Sequence, residues 1–231
     1  MTVISIDTLL NLSVLRGLRR TTLLDIAYHA RVVTVCTDET FYEQGDPPTG
    51  LFVLQAGRVK LFRQSKERAQ ILAIPMPGDC FGAESFPTGA PSPCTATALT
   101  GASAIYLPPH ALGDLLARHA DLQELLLELV ANRLKQLVAL IHDLAFRDVT
   151  SRLAAILVAR ARAEGRATDS GICLDRLLSQ QDFAAMAGTA REVIYRILKK
   201  FETLGLLRLT RNSIFILDLD RLAEVAGQEV R

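Results

Sequence analysis

The chain has 231 residues, of which 49% are hydrophobic and 22% charged, and its formal net charge is +1. Those values suit one large or two modest globular domains and exclude a disordered chain. A nearly neutral total also excludes general attraction to polyanions, so any nucleic-acid binding must come from a local basic face.

Residues 1–30 read as short helices, with Leu9, Leu10, Leu12, Leu15, Leu18, Leu23, Leu24 and Ile26 at roughly helical spacing. Residues 31–107 change character. The runs "ARVVTVC", "LFVLQAG", "RVKLFRQ", "AQILAIPM", "TATALT" and "SAIYL" alternate with Gly- and Pro-containing turns. Short strands at such spacing predict an antiparallel roll, and a roll can enclose a ligand pocket. Residues 108–147 read as helical. Leu127, Val130, Leu134, Leu137, Ile141 and Leu144 step by three and four in strict alternation. That is a heptad seam and predicts a homodimer through this helix, with an intramolecular packing helix as the alternative. Leu125, Leu126, Val138 and Leu140 widen the stripe, so one side can also cover the roll. The expected fold class is α+β: a sensor region over 1–110, a dimer helix over 111–147 and a DNA-binding unit over 148–231.

In the last region Asp148 can cap the helix "VTSRLAAILVARA", and "AEGRATDSG" reads as a polar loop. "SQQDFAAMAGTAREVIYRILKKFE" then predicts a helix-turn-helix. Ser179 caps the first helix, Gly188 makes the turn, and Thr189 caps a second helix from about Ala190 to Leu204. Val193, Ile194, Ile197, Leu198 and Phe201 share its apolar face. Arg191, Glu192, Tyr195 and Arg196 lie on the other face near the N-terminal end, where a recognition helix meets base edges. Thr189, Lys199 and Lys200, with Arg208 and Arg211 on the hairpin "LLRLTRNSIFILD", are candidate phosphate contacts. Residues 179–213 hold six basic and three acidic side chains, a local excess on a nearly neutral chain. The competing reading is a solvated helix whose Thr189-Ala190-Arg191-Glu192 is only a capping box.

The four cysteines, Cys36, Cys80, Cys94 and Cys173, have neither CxxC nor metal-ligand spacing, so buried reduced thiols are expected and no metal or cofactor is predicted. No uncharged apolar run reaches the length of a membrane span, and "MTVISIDTLLNLSVLRGLRR" lacks the basic-then-apolar order of a secretion signal, so a cytoplasmic location is expected. A metal-dependent roll enzyme would place histidines on the strands. His29, His110, His119 and His142 all lie outside residues 32–107, which argues against an enzyme. A cyclic-nucleotide-binding subunit without DNA function would have no use for the helix-turn-helix.

In this order of parts, and in "GDPPTGLFVLQAGRVKLF", "PGDCFGAES", "DLAFRDVTSRLAAIL" and "AGTAREVIYRILKKFE", the sequence resembles the CRP/FNR superfamily of bacterial transcription regulators. The resemblance implies a homodimer on double-stranded DNA, a palindrome with TGTGA-like half-sites, and RNA polymerase as a further partner for an activator. It places Arg191, Glu192 and Arg196 on the family's R-E-x-x-x-R pattern, with arginine suited to guanine and glutamate to cytosine N4. It also implies an effector pocket at Phe81, Gly82, Ala83, Glu84, Cys94, Thr95, Leu137 and Val138. Here the sequence departs from the members that bind cyclic AMP. Cys94 stands where an arginine holds the cyclic phosphate, Ala83 stands in the glutamate's place, and Leu137 and Val138 replace the polar purine contacts. An altered or absent effector is the expectation. An atypical cyclic AMP site, a redox switch at Cys94 and a haem sensor are the alternatives.

Overall fold

The computed structural model describes residues 4–66, 68–175 and 177–227. The outermost ends of the expected domains, 1–3 and 228–231, lie outside them. The described chain forms two compact units, one within residues 4–66 and 71–137 and the other within 68–70 and 138–227.

The first unit opens with α1 (Ile6–Leu10), a 3-10 turn at Ser13–Leu15 and α2 (Arg20–His29). Eight strands follow: β1 (Arg31–Val35), β2 (Thr40–Tyr42), β3 (Leu51–Ala56), β4 (Val59–Ser65), β5 (Arg68–Ala73), β6 (Cys80–Phe81), β7 (Thr95–Ala98) and β8 (Ala102–Leu107). They form two four-stranded sheets in the orders β1-β8-β3-β6 and β2-β7-β4-β5. The β1–β8 and β3–β8 ladders are antiparallel, with Val33 opposite Ala104 and Val53 opposite Ile105.

The central strands are buried on both sides, which explains their unbroken apolar runs. In β3, Phe52 and Leu54 face a core that includes Tyr42, Val59, Leu61, Phe81, Cys94 and Ala96. Leu51 and Val53 face a second core built with Leu9, Leu23, Ile26, Ile105, Leu112 and Leu115. The N-terminal helices therefore cap the outer face of one sheet.

The helical stretch expected to run unbroken from 111 divides in two. α3 spans Pro109–Arg118, and α4 spans Ala120–Phe146. The break falls at His119, whose backbone is extended at φ −125° and ψ 102°. Its ring is fixed there, with Nε2 2.8 Å from Asp25 Oδ2 and Nδ1 3.2 Å from Thr22 Oγ1. Early in α4, Leu122 is buried and Leu125, Leu126 and Leu129 pack against the second core. The seam side remains open. Leu127 is 71% exposed, Leu134 61% and Ile141 65%, while Leu137 and Leu144 are half-buried. Among the described residues, no helix is long and apolar enough to cross a membrane.

The second unit comprises α5 (Val149–Glu164), β9 (Arg166–Thr168), β10 (Gly171–Asp175), α6 (Gln180–Ala187), α7 (Arg191–Thr203), β11 (Leu207–Leu209), β12 (Ser213–Ile216) and α8 (Leu219–Val225). Asp148 caps α5 as expected, its Oδ1 accepting from the Ser151 amide at 2.7 Å. The stretch read as a polar loop contains part of a β-hairpin. Gly171, at φ 110°, begins the returning strand. β10 pairs with β9 on one side and β12 on the other, giving the order β11-β12-β10-β9. The polar composition of β9 reflects its exposed edge position: a ladder satisfies its backbone although its side chains face solvent.

Candidate nucleic-acid interface and roll pocket

The helix-turn-helix is built around its turn. Ser179 and Asp182 form a reciprocal capping box at the start of α6, each side chain accepting from the other's backbone amide at 3.0–3.1 Å. Gly188 ends that helix in the left-handed conformation, φ 63° and ψ 46°, where a side chain is strained. The Gly188 and Thr189 amides both return to the Ala184 carbonyl. Arg152 holds the same turn from α5. Its guanidinium donates to the carbonyls of Ala187 at 2.8 Å, Arg147 at 2.6 Å and Leu144 at 3.3 Å. Sequence reading passed over this residue; its signal was a cation inside the apolar run of "VTSRLAAIL".

α7 is strongly two-faced. Ile194, Ile197, Leu198 and Phe201 are buried, whereas Arg191, Glu192, Tyr195, Arg196, Lys199 and Lys200 are exposed. Thr189 does not cap it. The N-cap is Ala190, which has no side-chain bond, and the helix begins one residue later than expected, at Arg191. The Thr189 amide is drawn into the glycine turn, which removes its hydroxyl from the cap position. Glu192 makes no hydrogen bond among the described residues, so the capping-box alternative for Thr189 and Glu192 fails. The capping box lies one helix earlier, at Ser179 and Asp182.

The wing is β11 and β12, turning through Thr210–Asn212. Glu202 anchors it to α7, its Oε1 accepting from the Leu209 amide at 3.1 Å and its Oε2 from Lys199 Nζ at 2.8 Å. The Lys199 bond lowers the Glu202 pKa and raises that of Lys199. Lys199, expected to be free for phosphate, therefore already holds a carboxylate. Lys200 is exposed, and Arg208 lies over the Phe215 ring at 4.8 Å. Arg191, Tyr195 and Arg211 line one open groove of about 780 Å³ with Ser179, Gln180 and Gln181. Recognition helix and wing thus meet over a polar concavity.

In the roll, Phe81, Ala83 and Cys94 are buried, and Glu84 and Thr95 are half-buried. Gly82 adopts φ 92°, and a Cβ there would come within 2.8 Å of the Phe52 ring. Phe81, Ala83 and Glu84 line a cavity of only about 30 Å³, together with Leu126, Val130 and Arg133 of α4. Leu137 and Val138 do not join the expected set: Leu137 is half-buried on α4 outside this lining, and Val138 is 58% exposed. Cys94 and Thr95 also lie outside it. Cys94 packs into the interior of the roll, and the Thr95 hydroxyl accepts from the Gln44 amide at 3.0 Å.

Arg133, which sequence reading passed over, supplies a cation, its Nε 3.6 Å from Glu84 Oε1. Burial, then the nearby Glu84 charge, pushes the Cys94 thiol up to about 11. Burial, then the charges of Asp79 and Glu84, pushes Cys80 up to about 12. Burial thus favours the neutral thiol at both positions, which disfavours the redox reading.

Residues 32–119 match the family described as "Cyclic nucleotide-binding domain", and residues 151–225 match "Crp-like helix-turn-helix domain". The chain is similar to the CRP-like cAMP-activated global transcriptional regulator of Mycobacterium tuberculosis, 31% identical over 188 residues that cover 81% of this chain and 84% of that protein. It is also similar to the global nitrogen regulator of Synechocystis, 30% identical over 188 residues that cover 80% and 84% of the two chains. A solved CRP/FNR-family structure from Eubacterium rectale shares the fold, with a TM-score of 0.77 at 21% identity, covering 94% of this chain and 98% of that one. The fold, the helix-turn-helix geometry and these similarities agree: the chain belongs to the CRP/FNR family of DNA-binding transcription regulators.

Proposed function

We propose that the protein works as a homodimer that binds a palindromic DNA site through α7 and does not respond to cyclic AMP. The observation that carries the DNA reading is the division of α7, whose inner face is buried while Arg191, Glu192, Tyr195 and Arg196 stand exposed at its N-terminal half. That is the end a helix presents to base edges in a major groove. Arg191 and Arg196 suit guanine, and Glu192 suits cytosine N4. Lys200, Arg208 and Arg211 supply phosphate contacts, with Thr189 at the turn and Lys199 secondary because of its bond to Glu202.

The dimer reading rests on the exposed apolar seam of α4, where Leu127, Val130, Leu134 and Ile141 leave a stripe that a second copy can cover. An isologous pairing puts two recognition helices on one palindrome. Such a protein acts in the cytoplasm, and as an activator it would also engage RNA polymerase.

The effector reading rests on size and charge. A cavity of about 30 Å³ holds one or two waters. Ligand pockets generally run to roughly 300 Å³ or more. A cyclic AMP site that uses Arg133 is the second reading, favoured by the similarity to the cAMP-activated regulator of Mycobacterium tuberculosis. Calorimetry with millimolar cyclic AMP, paired with DNA titrations, separates the two. No heat and an unchanged DNA affinity are expected; micromolar binding would establish the second reading.

A further inference from the structure

The exposed face of α7 carries four cations, and one of them is unlike the rest. Among the described residues, Arg191, Arg196 and Lys200 have no carboxylate partner, whereas Lys199 Nζ lies 2.8 Å from Glu202 Oε2. Local helix energetics do not account for that carboxylate. Glu202 sits in the last turn of α7, where the helix dipole disfavours an anion, and lysine before glutamate is the less favourable order for a helical pair. Its other oxygen shows what the residue holds. β11 is an edge strand of its sheet, and the Leu209 amide on it donates to Glu202 Oε1 at 3.1 Å. That bond falls one residue after Arg208 and two before Arg211, the cations of the wing. An exposed ion pair is ordinarily weak because two long side chains are immobilised for it. Here the wing already fixes Glu202, so the pair immobilises only Lys199. Their hydrogen bond lowers the Glu202 pKa and raises that of Lys199, which keeps both charged at neutral pH.

We propose that Glu202 is a positioning residue for DNA binding: one oxygen braces the wing beside Arg208 and Arg211, and the other occupies Lys199 in place of a DNA phosphate, an assignment that rests on α7 being the helix that reads DNA. A carboxylate and a phosphate oxygen offer the same acceptor chemistry to an ammonium group. A phosphate that reaches Lys199 must therefore displace Glu202 and also meets the repulsion of its charge. Phosphate contacts are indifferent to sequence. Glu202 thus sets affinity and salt dependence, and leaves base preference to Arg191, Glu192 and Arg196. Glutamine separates the two roles. Its carbonyl keeps an acceptor for the Leu209 amide, while its neutral amide no longer holds Lys199. Alanine loses both.

The test uses the full-length protein as wild type, Glu202→Gln, Glu202→Ala, Lys199→Gln, the double variant of Lys199→Gln with Glu202→Gln, and Arg196→Ala. Affinity for the palindrome selected by the wild type and for random duplex is measured across a salt series, with melting temperature as the check on folding. Glu202→Gln should bind both duplexes about three- to tenfold more tightly, with a salt slope steeper by about one for each recognition helix. Adding Lys199→Gln should abolish both changes. Lys199→Gln alone should leave the wild-type slope nearly unaltered. Glu202→Ala should melt lower and bind more weakly than Glu202→Gln, because it also loosens the wing. An unchanged slope in Glu202→Gln, or a steeper slope that survives in the double variant, would overturn the competition with phosphate. So would a slope flattened by about one in Lys199→Gln alone, a result that needs no Glu202 variant to fold. Equal behaviour of the alanine and glutamine variants would remove the brace. Arg196→Ala separates the two levels. If it leaves consensus and affinity unchanged, the recognition-helix reading fails; if it loses preference at a guanine while the Glu202→Gln slope stays unchanged, only the role of Glu202 is refuted.

Discussion

Leu134 and Ile141 offer the most direct quantitative check on the dimer seam. In one chain they are 61% and 65% exposed. Fully burying such a side chain stabilises by about 2.5 kcal/mol, so covering the exposed part of each contributes about 1.5 kcal/mol. A two-fold seam contains both residues from both protomers, which brings the total to about 6 kcal/mol. Changing both to glutamate removes that contribution and sets carboxylates against each other in an apolar seam. A loss of about 6 kcal/mol weakens dimerisation roughly ten-thousand-fold. Because both positions are exposed in the single chain, the fold itself should survive, and circular dichroism checks that it does. Sedimentation at micromolar concentration is expected to show a dimer for the wild type and a monomer for the double variant. A variant that still sediments as a dimer would place the interface elsewhere.

Three further expectations concern chemistry and DNA contacts. At pH 8 a thiol reagent should label exposed Cys36 quickly and leave Cys80, Cys94 and Cys173 protected until denaturation; fast labelling of Cys94 would revive the redox reading. The sign of the pH effect follows from the raised pKa. Burial favours the neutral Cys94 thiol, so its contribution to stability is complete below the unfolded value of about 9.0 and is lost as pH rises through about 11, which a urea melt series across that window reads. Glu192→Gln should change the selected base preference with little loss of stability, at most about 1 kcal/mol from the helix dipole, and an unchanged consensus would remove Glu192 from base reading. Arg211→Ala should weaken binding to all sequences about equally and flatten the salt slope by about one, whereas a sequence-selective loss would make it a base contact.

The parts of the structure that could be read from sequence are those where one local rule suffices. The alternation of short apolar runs with turns gave the roll, and Gly188 between two amphipathic segments gave the helix-turn-helix. The errors arose where tertiary bonds chose among local options. Thr189-Ala190-Arg191-Glu192 satisfies the capping-box pattern, but the Thr189 amide is bound to Ala184 and the cap moves to Ala190. "AEGRATDSG" has loop composition, but β12 offers a ladder and part of it becomes sheet. Lys199 reads as a free cation until the Leu209 amide fixes Glu202 beside it. The pocket was the least legible. The cation that faces Glu84 comes from residue 133, about fifty positions away, and no local pattern announces that pairing.

Selection of binding sites from random double-stranded DNA, run in parallel on wild type and Arg196→Ala, tests the central claim most directly. The wild type should return a palindrome with a guanine fixed in each half-site. Arg196→Ala should lose preference at that guanine, at a cost of about 1–3 kcal/mol per half-site. The same consensus from both proteins would contradict the assignment of α7 as the helix that reads the DNA.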